Sequence, residues 1–453
     1  MEKFKILILA AGEGTRMKSD KPKVLHTILG KPMLLYVIDT AKEAGADSVA
    51  VVVGKNAAQI QAVTDIPSYL QAEQLGTGHA VSSAVDFLRE DMAANVVVLC
   101  GDTPLLTAAT IHALVAKHEK EQNDATVMTA VLDNPTGYGR IIRDNVGRFL
   151  RNVEQRDANE DEQKINEINT GVYCFRAAAL LESLSLIRNN NAQNEYYLTD
   201  VPGILRQNGH PVGIKRAVDF SEFLGVNTKL QLAEATAVMR KRINAHHMLN
   251  GVILTDPSAT YISPGVEIGA DTVILPGCML EGQTKIGMGC TIGMHTHLTN
   301  MQVGDRVVIQ NSVAVDSAIG DDTNVGPFAY IRPHSEIGRH VKVGDFVEVK
   351  NAKIGDGTKA SHLTYIGDAD VGAGINFGCG TVTVNYDGKN KARTVIADGA
   401  FIGCNTNLIA PVNVGKNAYI AAGSTITDDV PPCNLGIARA RQVNKDGWRD
   451  KRS

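Results

Sequence analysis

A glycine-rich segment near the start of the chain carries the first residues whose types and spacing could do chemistry. An apolar run at residues 5–9 leads into Gly12 and Gly14, and Arg16 and Lys23 follow shortly after. Glycines allow backbone N–H groups to approach phosphate oxygens closely, and the two cations can balance negative charge that develops there. The segment therefore predicts a loop that holds phosphate groups.

Three interpretations of this loop compete. A dinucleotide-binding fingerprint needs a third glycine where Met17 stands, and a P-loop needs a Gly-Lys-Ser/Thr ending that the segment lacks. In the third interpretation, the loop resembles the phosphate loop of sugar nucleotidyltransferases. That pattern, L-x-x-G-x-G-T-R-(M/L) followed by K-P-K, is intact at residues 9–17 and 21–23. The glycines alone favour an ordinary strand-to-helix turn, but Arg16 and Lys23 in these places favour the third interpretation.

A carboxylate is expected beside this loop. A second long apolar run, residues 95–100, ends at Gly101 and Asp102. Ligands of open α/β sheets lie beyond the carboxyl ends of the strands, where a carboxylate is well placed to hold a metal ion. Asp is equally common in turns, so the position alone leaves both interpretations open. The phosphate loop earlier in the chain favours the metal.

A second polar set surrounds His362, far along the chain. A lone histidine in a repetitive structure is most often structural. Here Arg332 and Lys350 stand about one repeat turn away, and two fixed cations suit a sugar phosphate. A neutral imidazole beside them suits removal of a proton from an amine. The pattern favours a general base.

The elements that position the first set form an α/β domain. Apolar runs at residues 48–53 and 95–100 predict strands, and residues 76–88 between them predict a helix. This alternation indicates a mostly parallel sheet. Residues 229–249 lack Gly and Pro and predict one helix of about six turns, a stiff connection.

The second set lies within a long six-residue repeat, residues 251–427. An aliphatic residue recurs at every sixth position in three series, starting at Ile262, Val325 and Ile396. A hexapeptide period is typical of a parallel β-helix, whose coils bury their apolar side only by stacking. Residues 384–394 interrupt the repeat, and such insertions become loops. This loop has little of its own chain to pack on, so we expect it to contact a neighbouring subunit.

Composition narrows the function classes. The 45 basic and 49 acidic residues give a formal net charge of −4 without a long block of either sign, which disfavours nucleic-acid and membrane-surface partners. The seven cysteines include no C-x-x-C pair, as expected for free thiols in a reducing compartment. The first apolar run is too short for a signal peptide. We expect a cytoplasmic protein.

Longer motifs in both halves carry a resemblance to a known family. They include Leu9-Ala-Ala-Gly-Glu-Gly-Thr-Arg-Met17, Gln71-Ala-Glu-Gln-Leu-Gly-Thr-Gly-His79, Asn134-Pro-Thr-Gly-Tyr-Gly-Arg140 and Gly225-Val-Asn227. The chain resembles the bacterial bifunctional N-acetylglucosamine-1-phosphate uridylyltransferases and glucosamine-1-phosphate acetyltransferases. The resemblance implies a Rossmann-like mixed-sheet α/β nucleotidyltransferase domain and a left-handed parallel β-helix. We expect these at 1–227 and 251–436, a linker helix at 228–250 and a tail at 437–453.

The resemblance implies roles in the first half. Arg16 and Lys23 would stabilise the transferred phosphoryl group, and Asp102 and Asn227 would share one Mg²⁺. The residues implied to bind UTP and UDP-N-acetylglucosamine are Leu9, Ala10, Ala11, Gly12, Lys23, Gln71, Gly76, Thr77, Gly139, Glu154, Asn169, Thr170 and Asn227. Gln71 would read uracil, since an amide both donates and accepts.

The resemblance also implies roles in the second half, in a homotrimer. His362 would take the proton of the glucosamine amine as it attacks acetyl-CoA. The residues implied to bind glucosamine 1-phosphate are Arg332, Lys350, Tyr365 and Asn376. Those implied to bind acetyl-CoA are Cys379, Asn385, Tyr386, Cys404, Ala422 and Arg439. Lys391 would reach in from a neighbour. The resemblance implies four small-molecule substrates: glucosamine 1-phosphate, N-acetylglucosamine 1-phosphate, UTP and acetyl-CoA.

Cysteines mark departures from the family pattern. Cys100 replaces a bulkier residue, while Cys379 and Cys404 stand where Ala and Ser are common. If the family's Ser hydroxyl contributes to oxyanion stabilisation, Cys404 would weaken that contribution, because a thiol donates more weakly than a hydroxyl. Two alternatives remain: a monofunctional sugar-1-phosphate nucleotidyltransferase whose β-helix only oligomerises, and a ligand-binding solenoid fused to a degenerate nucleotidyltransferase. The polar cluster at His362 argues against the first, and the intact loop with Asp102 against the second.

Overall fold

The structure is a computed structural model that describes residues 3–449. These residues divide into two compact units, with the division between Met239 and Arg240. Residues 450–453, the end of the expected tail, lie outside the described residues.

A mixed sheet forms the centre of the first unit. Its strands are β1 (Phe4–Ala10), β4 (Ser48–Val53), β5 (Ser68–Leu70), β6 (Asn95–Cys100), β7 (Ala125–Val131), β8 (Arg140–Arg143), β9 (Phe149–Val153), β10 (Glu167–Arg176) and β11 (Val212–Arg216), while β2 (Thr27–Ile28) and β3 (Lys31–Pro32) form a separate hairpin. The order is β11-β7-β10-β6-β1-β4-β5, with β8 and β9 attached at β10. Strand β10 runs antiparallel to both neighbours, so the sheet is mixed.

Helices cover both faces of this sheet. They are α1 (Met33–Glu43), α2 (Ala57–Gln61), α3 (Thr77–Ser82), α4 (Val85–Arg89), α5 (Ala108–Lys120), α6 (Glu160–Gln163), α7 (Ala177–Leu184) and α8 (Val201–Gln207). Alternate β1 side chains explain the two layers. Ile6 and Ile8 pack in a core with α1 and α5, whereas Leu7 packs in a core with α3, α4, α7 and α8. Both faces of β1 are thereby buried, as in other doubly covered sheets.

The single helix expected over residues 76–88 is wrong in detail, because α3 and α4 are separate. The hydroxyls of Ser82 and Ser83 donate to the carbonyls of Gly78 and His79, four residues earlier. Such back-bonding competes with the regular helix pattern, and the chain breaks at Ser83 and Ala84.

One helix, α9, spans Lys229–Leu249, in agreement with its predicted length. The division between the two compact units falls inside it. Its first turn is capped in the first unit: Thr228 Oγ1 accepts from the Gln231 backbone, and Gln231 Oε1 accepts from the backbone of Thr228 and Asn227. This reciprocal arrangement is a capping box, and it fixes Asn227 at the helix start.

The second unit is a three-sided parallel β-helix. The first sheet contains Ile253–Leu254, Val273–Ile274, Thr291–Ile292, Val308–Ile309, Asn324–Val325, Lys342–Asp345, Lys359–His362, Asn376–Phe377, Phe401–Ile402, Tyr419–Ile420 and Leu435–Gly436. The second contains Tyr261–Ile262, Met279–Glu281, His297–Thr299, Val313–Val315, Tyr330–Ile331, Glu348–Lys350, Tyr365–Gly367, Val382–Val384, Asn407–Ile409 and Thr425–Ile426. The third contains Glu267–Ile268, Lys285–Ile286, Gln302–Val303, Ala318–Ile319, Glu336–Ile337, Lys353–Ile354, Ala369–Val371, Thr394–Ile396 and Val412–Val414.

The aliphatic residues of the hexapeptide series fill the interior of the β-helix. Ile262, Val325 and Ile396, with which the three series begin, belong to one continuous core. The insertion lies where it was expected, between Val382–Val384 and Thr394–Ile396. The fold and its core follow directly from the six-residue period.

Candidate active sites

The phosphate loop of the first unit depends on Gly14. This residue has a φ of 65°, and a Cβ there would lie 2.5 Å from the Cβ of Lys23. Any side chain at Gly14 would therefore both strain the backbone and push Lys23 aside. Met17, at the end of the short 3₁₀ helix Thr15–Met17, is buried and anchors the loop.

Four predicted residues converge next to this loop. Lys23 Nζ donates to Asp102 Oδ2 at 2.5 Å and to Asn227 Oδ1 at 3.0 Å. Arg16 donates to the same Asn227 oxygen at 3.0 Å. The Asp102 carbonyl accepts from Val226 N at 2.9 Å, which ties the two segments together. A carboxylate and an amide oxygen thus face one cation, the kind of oxygen donors that Mg²⁺ takes together with phosphate oxygens.

A cavity of about 320 Å³ opens beside these residues. Its lining contains the predicted residues Leu9, Ala10, Ala11, Gly12, Lys23, Gln71, Gly76, Thr77 and Asp102. The Gln71 amide nitrogen contacts the Gly76 carbonyl at 3.0 Å and His79 Nδ1 at 3.2 Å. These contacts use the nitrogen, so the carbonyl oxygen is the Gln71 atom suited to accept from a bound base.

Two further cavities continue from the first. Asp102 and Cys100 line the first and second, and Arg16 and Gly137 line the second and third. Thr170 and Asn227 line the second, and Glu154 lines the third. The shared walls make the three cavities one continuous site.

Gly139 and Asn169 shape the inner side of this site. A Cβ at Gly139 would lie 2.8 Å from Asn152 Oδ1 and 3.2 Å from Glu154 Oε1, so only glycine leaves these groups in place. Burial raises the pKa of Glu154, against the hydrogen bond that Asn152 Nδ2 donates to its carboxylate at 3.1 Å. The buried Asn169 contacts the Tyr173 hydroxyl at 2.5 Å and accepts from Gly171 N.

The departure at Cys100 leaves the charged residues in place. Its thiol lies 3.9 Å from the Gly171 carbonyl, and burial, with the charge of Asp102, raises its pKa to about 12. A neutral thiol is a small apolar wall at neutral pH, so it adds no charge next to Asp102.

In the second unit, stacking brings distant predicted residues into one column. His362, Cys379, Cys404 and Ala422 each stand two residues after a buried residue of the first sheet. Those buried residues are in-register partners on successive coils: Ala360 with Phe377, then Ile402 and Ile420. Neighbouring strands lie about 4.8 Å apart, so the four residues form a continuous column along one edge of the first sheet. Arg439 donates to the Ala422 carbonyl at 2.8 Å and joins this edge.

A further cavity, of about 390 Å³, lies where the chain leaves the second sheet, whereas His362 lies where the chain enters it. This cavity is lined by Arg332, Pro333, His334, Lys350, Asn351, Asp368 and Lys391. Lys350 lies 3.7 Å from Asp368, and Arg332 is paired with Glu348 at 2.8 Å. Lys391, which was expected to reach in from a neighbouring subunit, lines this cavity in its own chain. Its fixed cations suit a phosphate.

The strand Tyr365–Gly367 runs between the two corners of this sheet. The Tyr365 hydroxyl lies 3.4 Å from Asn385 Nδ2, and Asn385 also donates to Asp368. Tyr386 is exposed, and its hydroxyl donates to the Gly388 carbonyl within the insertion. Asn376 lies on the first sheet, outside the lining of the cavity. Tyr365 and Asn385 are thus brought to the cavity edge, and Asn376 is not.

Sequence reasoning missed Asp345, Asp368, His334 and Asn351. Asp368 lines the cavity: burial acts to raise its pKa, but hydrogen bonds from Asn351 and Asn385 and the charges of Lys350 and Lys391 lower it. Asp345 Oδ1 lies 2.7 Å from His362 Nδ1. The repeat offered a signal for Asp345, because it stands two residues after the buried Val343, as His362 does after Ala360.

Comparison with known families agrees with this division of the chain. Residues 6–167 match a MobA-like NTP transferase domain. Residues 256–354 match a GMPPB C-terminal domain, and residues 393–428 match six repeats of the bacterial transferase hexapeptide. The hexapeptide match agrees with a left-handed β-helix. No helix within residues 3–449 is long and apolar enough to cross a membrane.

Relatives match the chain over its full length. The "Bifunctional protein GlmU" of Geobacillus sp. (strain WCH70) is 54% identical over 100% of this chain and 99% of its own. The protein of the same name from Brevibacillus brevis is 54% identical over 100% of this chain and 98% of its own. The one from Clostridioides difficile is 51% identical over 99% of this chain and 98% of its own. A solved structure of UDP-glucose pyrophosphorylase complexed with UDP-glucose covers 53% of this chain and 100% of its own, at 19% identity and a TM-score of 0.43.

The relatives, the two domain types and the two sites agree with one another. The first unit carries the nucleotidyltransferase domain and the second the hexapeptide β-helix. The chain belongs to the GlmU family of bifunctional enzymes and combines the uridylyltransferase and the acetyltransferase that its sequence predicts.

Proposed function

We propose that the cavities of the first unit bind UTP and N-acetylglucosamine 1-phosphate, with one Mg²⁺ held by Asp102 and Asn227. The convergence of Lys23, Arg16, Asp102 and Asn227 is the observation that carries this proposal. Both oxygens already face a cation, the Lys23 ammonium, and they are donors of the type that Mg²⁺ prefers. Bound Mg²⁺ would neutralise and orient phosphate oxygens.

The residues of the first unit then have separate roles in binding the base, binding the sugar and stabilising the reacting phosphate. Gln71, Gly76 and Thr77 hold the base, while Gly139, Glu154, Asn169 and Thr170 surround the sugar. Arg16 and Lys23 face the α-phosphate, where the sugar phosphate oxygen attacks and pyrophosphate leaves. Fixed cations that balance the charge of this transition state are the main catalytic requirement of such reactions. No side-chain nucleophile is needed.

The second unit acetylates glucosamine 1-phosphate. Arg332, Lys350 and Lys391 hold the phosphate, and Tyr365 and Asn385 lie between that cavity and His362. His362 takes the proton of the amine as the amine attacks the thioester carbon of acetyl-CoA, and cleavage of the C–S bond then releases CoA as its thiol. The column of Cys379, Cys404 and Ala422, with Arg439, is the edge along which acetyl-CoA lies.

An apolar corner supports assembly into a homotrimer. Phe328, Phe346 and Leu363 stand on successive coils, each more than half exposed, and the rings of Phe328 and Phe346 stack at 5.5 Å. All three have a positive φ, which bulky side chains rarely adopt. Large exposed apolar side chains in such positions are best explained by a partner that covers them. A second copy of this chain is the partner we propose, in a cytoplasmic enzyme.

Two assays on one preparation test the proposal. Thiol release from acetyl-CoA with glucosamine 1-phosphate reports the second unit, and pyrophosphate release from UTP, Mg²⁺ and N-acetylglucosamine 1-phosphate reports the first. We expect His362→Ala to abolish thiol release and keep pyrophosphate release. Thiol release that persists in this variant would refute the role of His362. Failure of the wild type to release thiol would favour the monofunctional alternative.

A further inference from the structure

Asp345 contacts His362, the residue proposed as the base in acetyl transfer. We propose that Asp345 is a positioning residue that holds His362 in the tautomer with the proton on Nδ1 and stabilises the imidazolium formed during the reaction. This proposal rests on the role of His362 as the base.

The geometry of the β-helix fixes this pair. Asp345 and His362 are in-register partners on adjacent coils, at the ends of Lys342–Asp345 and Lys359–His362. Both strands continue from buried interior residues, Val343 and Ala360, so the backbone leaves little freedom at either position. Asp345 Oδ1 lies 2.7 Å from His362 Nδ1, within hydrogen-bond distance.

The charge state of Asp345 follows from its surroundings. The hydrogen bond with His362 and the backbone hydrogen bond lower the pKa of the Asp345 carboxyl, against slight desolvation, and the charges of His362 and Lys342 act in the same direction. The carboxylate is therefore ionised at neutral pH and can only accept. Neutral imidazole must then carry its proton on Nδ1, which leaves the unprotonated Nε2 to take a proton from the amine.

The other groups at this edge do not compete for Nδ1. Cys379 occupies the equivalent position on the following coil, and Lys342 acts on the carboxylate. The apolar residues Phe346 and Leu363 directly follow the pair. Exposed ion pairs contribute little to stability, so a structural explanation of the pair is weak, and variants of Asp345 should fold.

The test compares Asp345→Asn, Asp345→Ala and His362→Ala in the full chain by pH profiles of thiol release, with pyrophosphate release as the internal control. Asn keeps an acceptor for Nδ1–H but loses the charge, so we expect the acidic limb of kcat to shift to lower pH by about one unit and the plateau to fall about tenfold. Asp345→Ala removes the hydrogen-bond partner of the His362 imidazole altogether. For this variant we expect about a hundredfold loss in kcat with little change in the KM for glucosamine 1-phosphate.

Different outcomes separate the two proposals. If His362→Ala is inactive while both Asp345 variants keep the wild-type kcat and acidic limb, Asp345 has no positioning role. A rise in KM alone would also overturn it, because it would indicate a substrate contact. If His362→Ala remains active, the assignment of the base itself fails. Pyrophosphate release at the wild-type rate shows that the first unit is folded, and an unchanged circular dichroism spectrum and unfolding midpoint of the full chain show that the β-helix is folded as well.

Discussion

Lys23 illustrates how one residue can serve two opposing roles. Its ammonium lies 2.5 Å from Asp102 and 3.0 Å from Asn227, the oxygens proposed to hold Mg²⁺. Two cations cannot share this position without repulsion. In the proposed site, Lys23 would therefore compete with the metal before nucleotide binds, and the phosphates of the nucleotide would draw Lys23 away.

This competition predicts opposite effects of Lys23→Met on binding and on turnover. Without nucleotide, we expect Mn²⁺, as a probe for Mg²⁺, to bind several-fold more tightly than to the wild type, as measured by electron paramagnetic resonance. Uridylyl transfer should fall at least a hundredfold, because the charge on the α-phosphate loses a partner. As a matched control, the exposed Lys18→Met should change neither. Weaker Mn²⁺ binding by Lys23→Met would contradict the competition.

Gly14 gives a second prediction at this scale. Gly14→Ala places a Cβ 2.5 Å from Lys23 Cβ, so we expect a loss of uridylyl transfer of tenfold or more beyond the backbone strain. Gly209→Ala is the control, because Gly209 also has a positive φ, 85°, but nothing lies within 4 Å of an added Cβ. We expect both variants to lose about 1 kcal/mol of unfolding free energy. Equal activity of the two variants would refute the role of the clash.

At the scale of elements, the β-helix was the most predictable part of the chain. The period of six places an aliphatic residue inside each coil, so the interior residues and the insertion follow from counting. The helix expected over residues 76–88 failed, because Ser82 and Ser83 bond back to the backbone, a local competition that periodicity does not reveal. Asp345 and Asp368 were missed because residues 17 positions from a candidate gain meaning only when the coils are aligned.

The column of His362, Cys379, Cys404 and Ala422 also predicts that a thiol reagent modifies Cys404 selectively. Cys404 is exposed, whereas Cys174, Cys278 and Cys290 are buried, and acetyl-CoA is proposed to cover this edge. We expect N-ethylmaleimide to inhibit acetyl transfer but not uridylyl transfer, and acetyl-CoA to protect. Cys404→Ser should resist inhibition, while Cys433→Ser, a control at another exposed cysteine, should remain sensitive. Persistent inhibition of Cys404→Ser, with its adduct mapped elsewhere by mass spectrometry, would exclude Cys404 as the target.

At the scale of the whole molecule, two activities on one chain differ in what they require from assembly. The residues proposed for uridylyl transfer all lie before Gln231, within the first compact unit. The second site lies along the β-helix next to the apolar corner of Phe328, Phe346 and Leu363. A partner that covers this corner would also exclude water from the neighbouring pair of Asp345 and His362. Acetyl transfer should therefore depend on assembly, and uridylyl transfer should not.

This dependence is tested by Phe328→Ser combined with Phe346→Ser. The change removes two exposed rings without opening the interior of the β-helix, so the chain should remain folded. We expect sedimentation to show monomers at concentrations where the wild type forms the proposed trimer, with acetyl transfer reduced at least tenfold and uridylyl transfer unchanged. The matched control is Val218→Ser in the first unit, a fully exposed apolar residue, which should leave both assembly and activities intact. A double variant that sediments as a trimer would contradict the proposed corner interface. Monomers with full acetyl transfer would instead show that a single chain completes the second site.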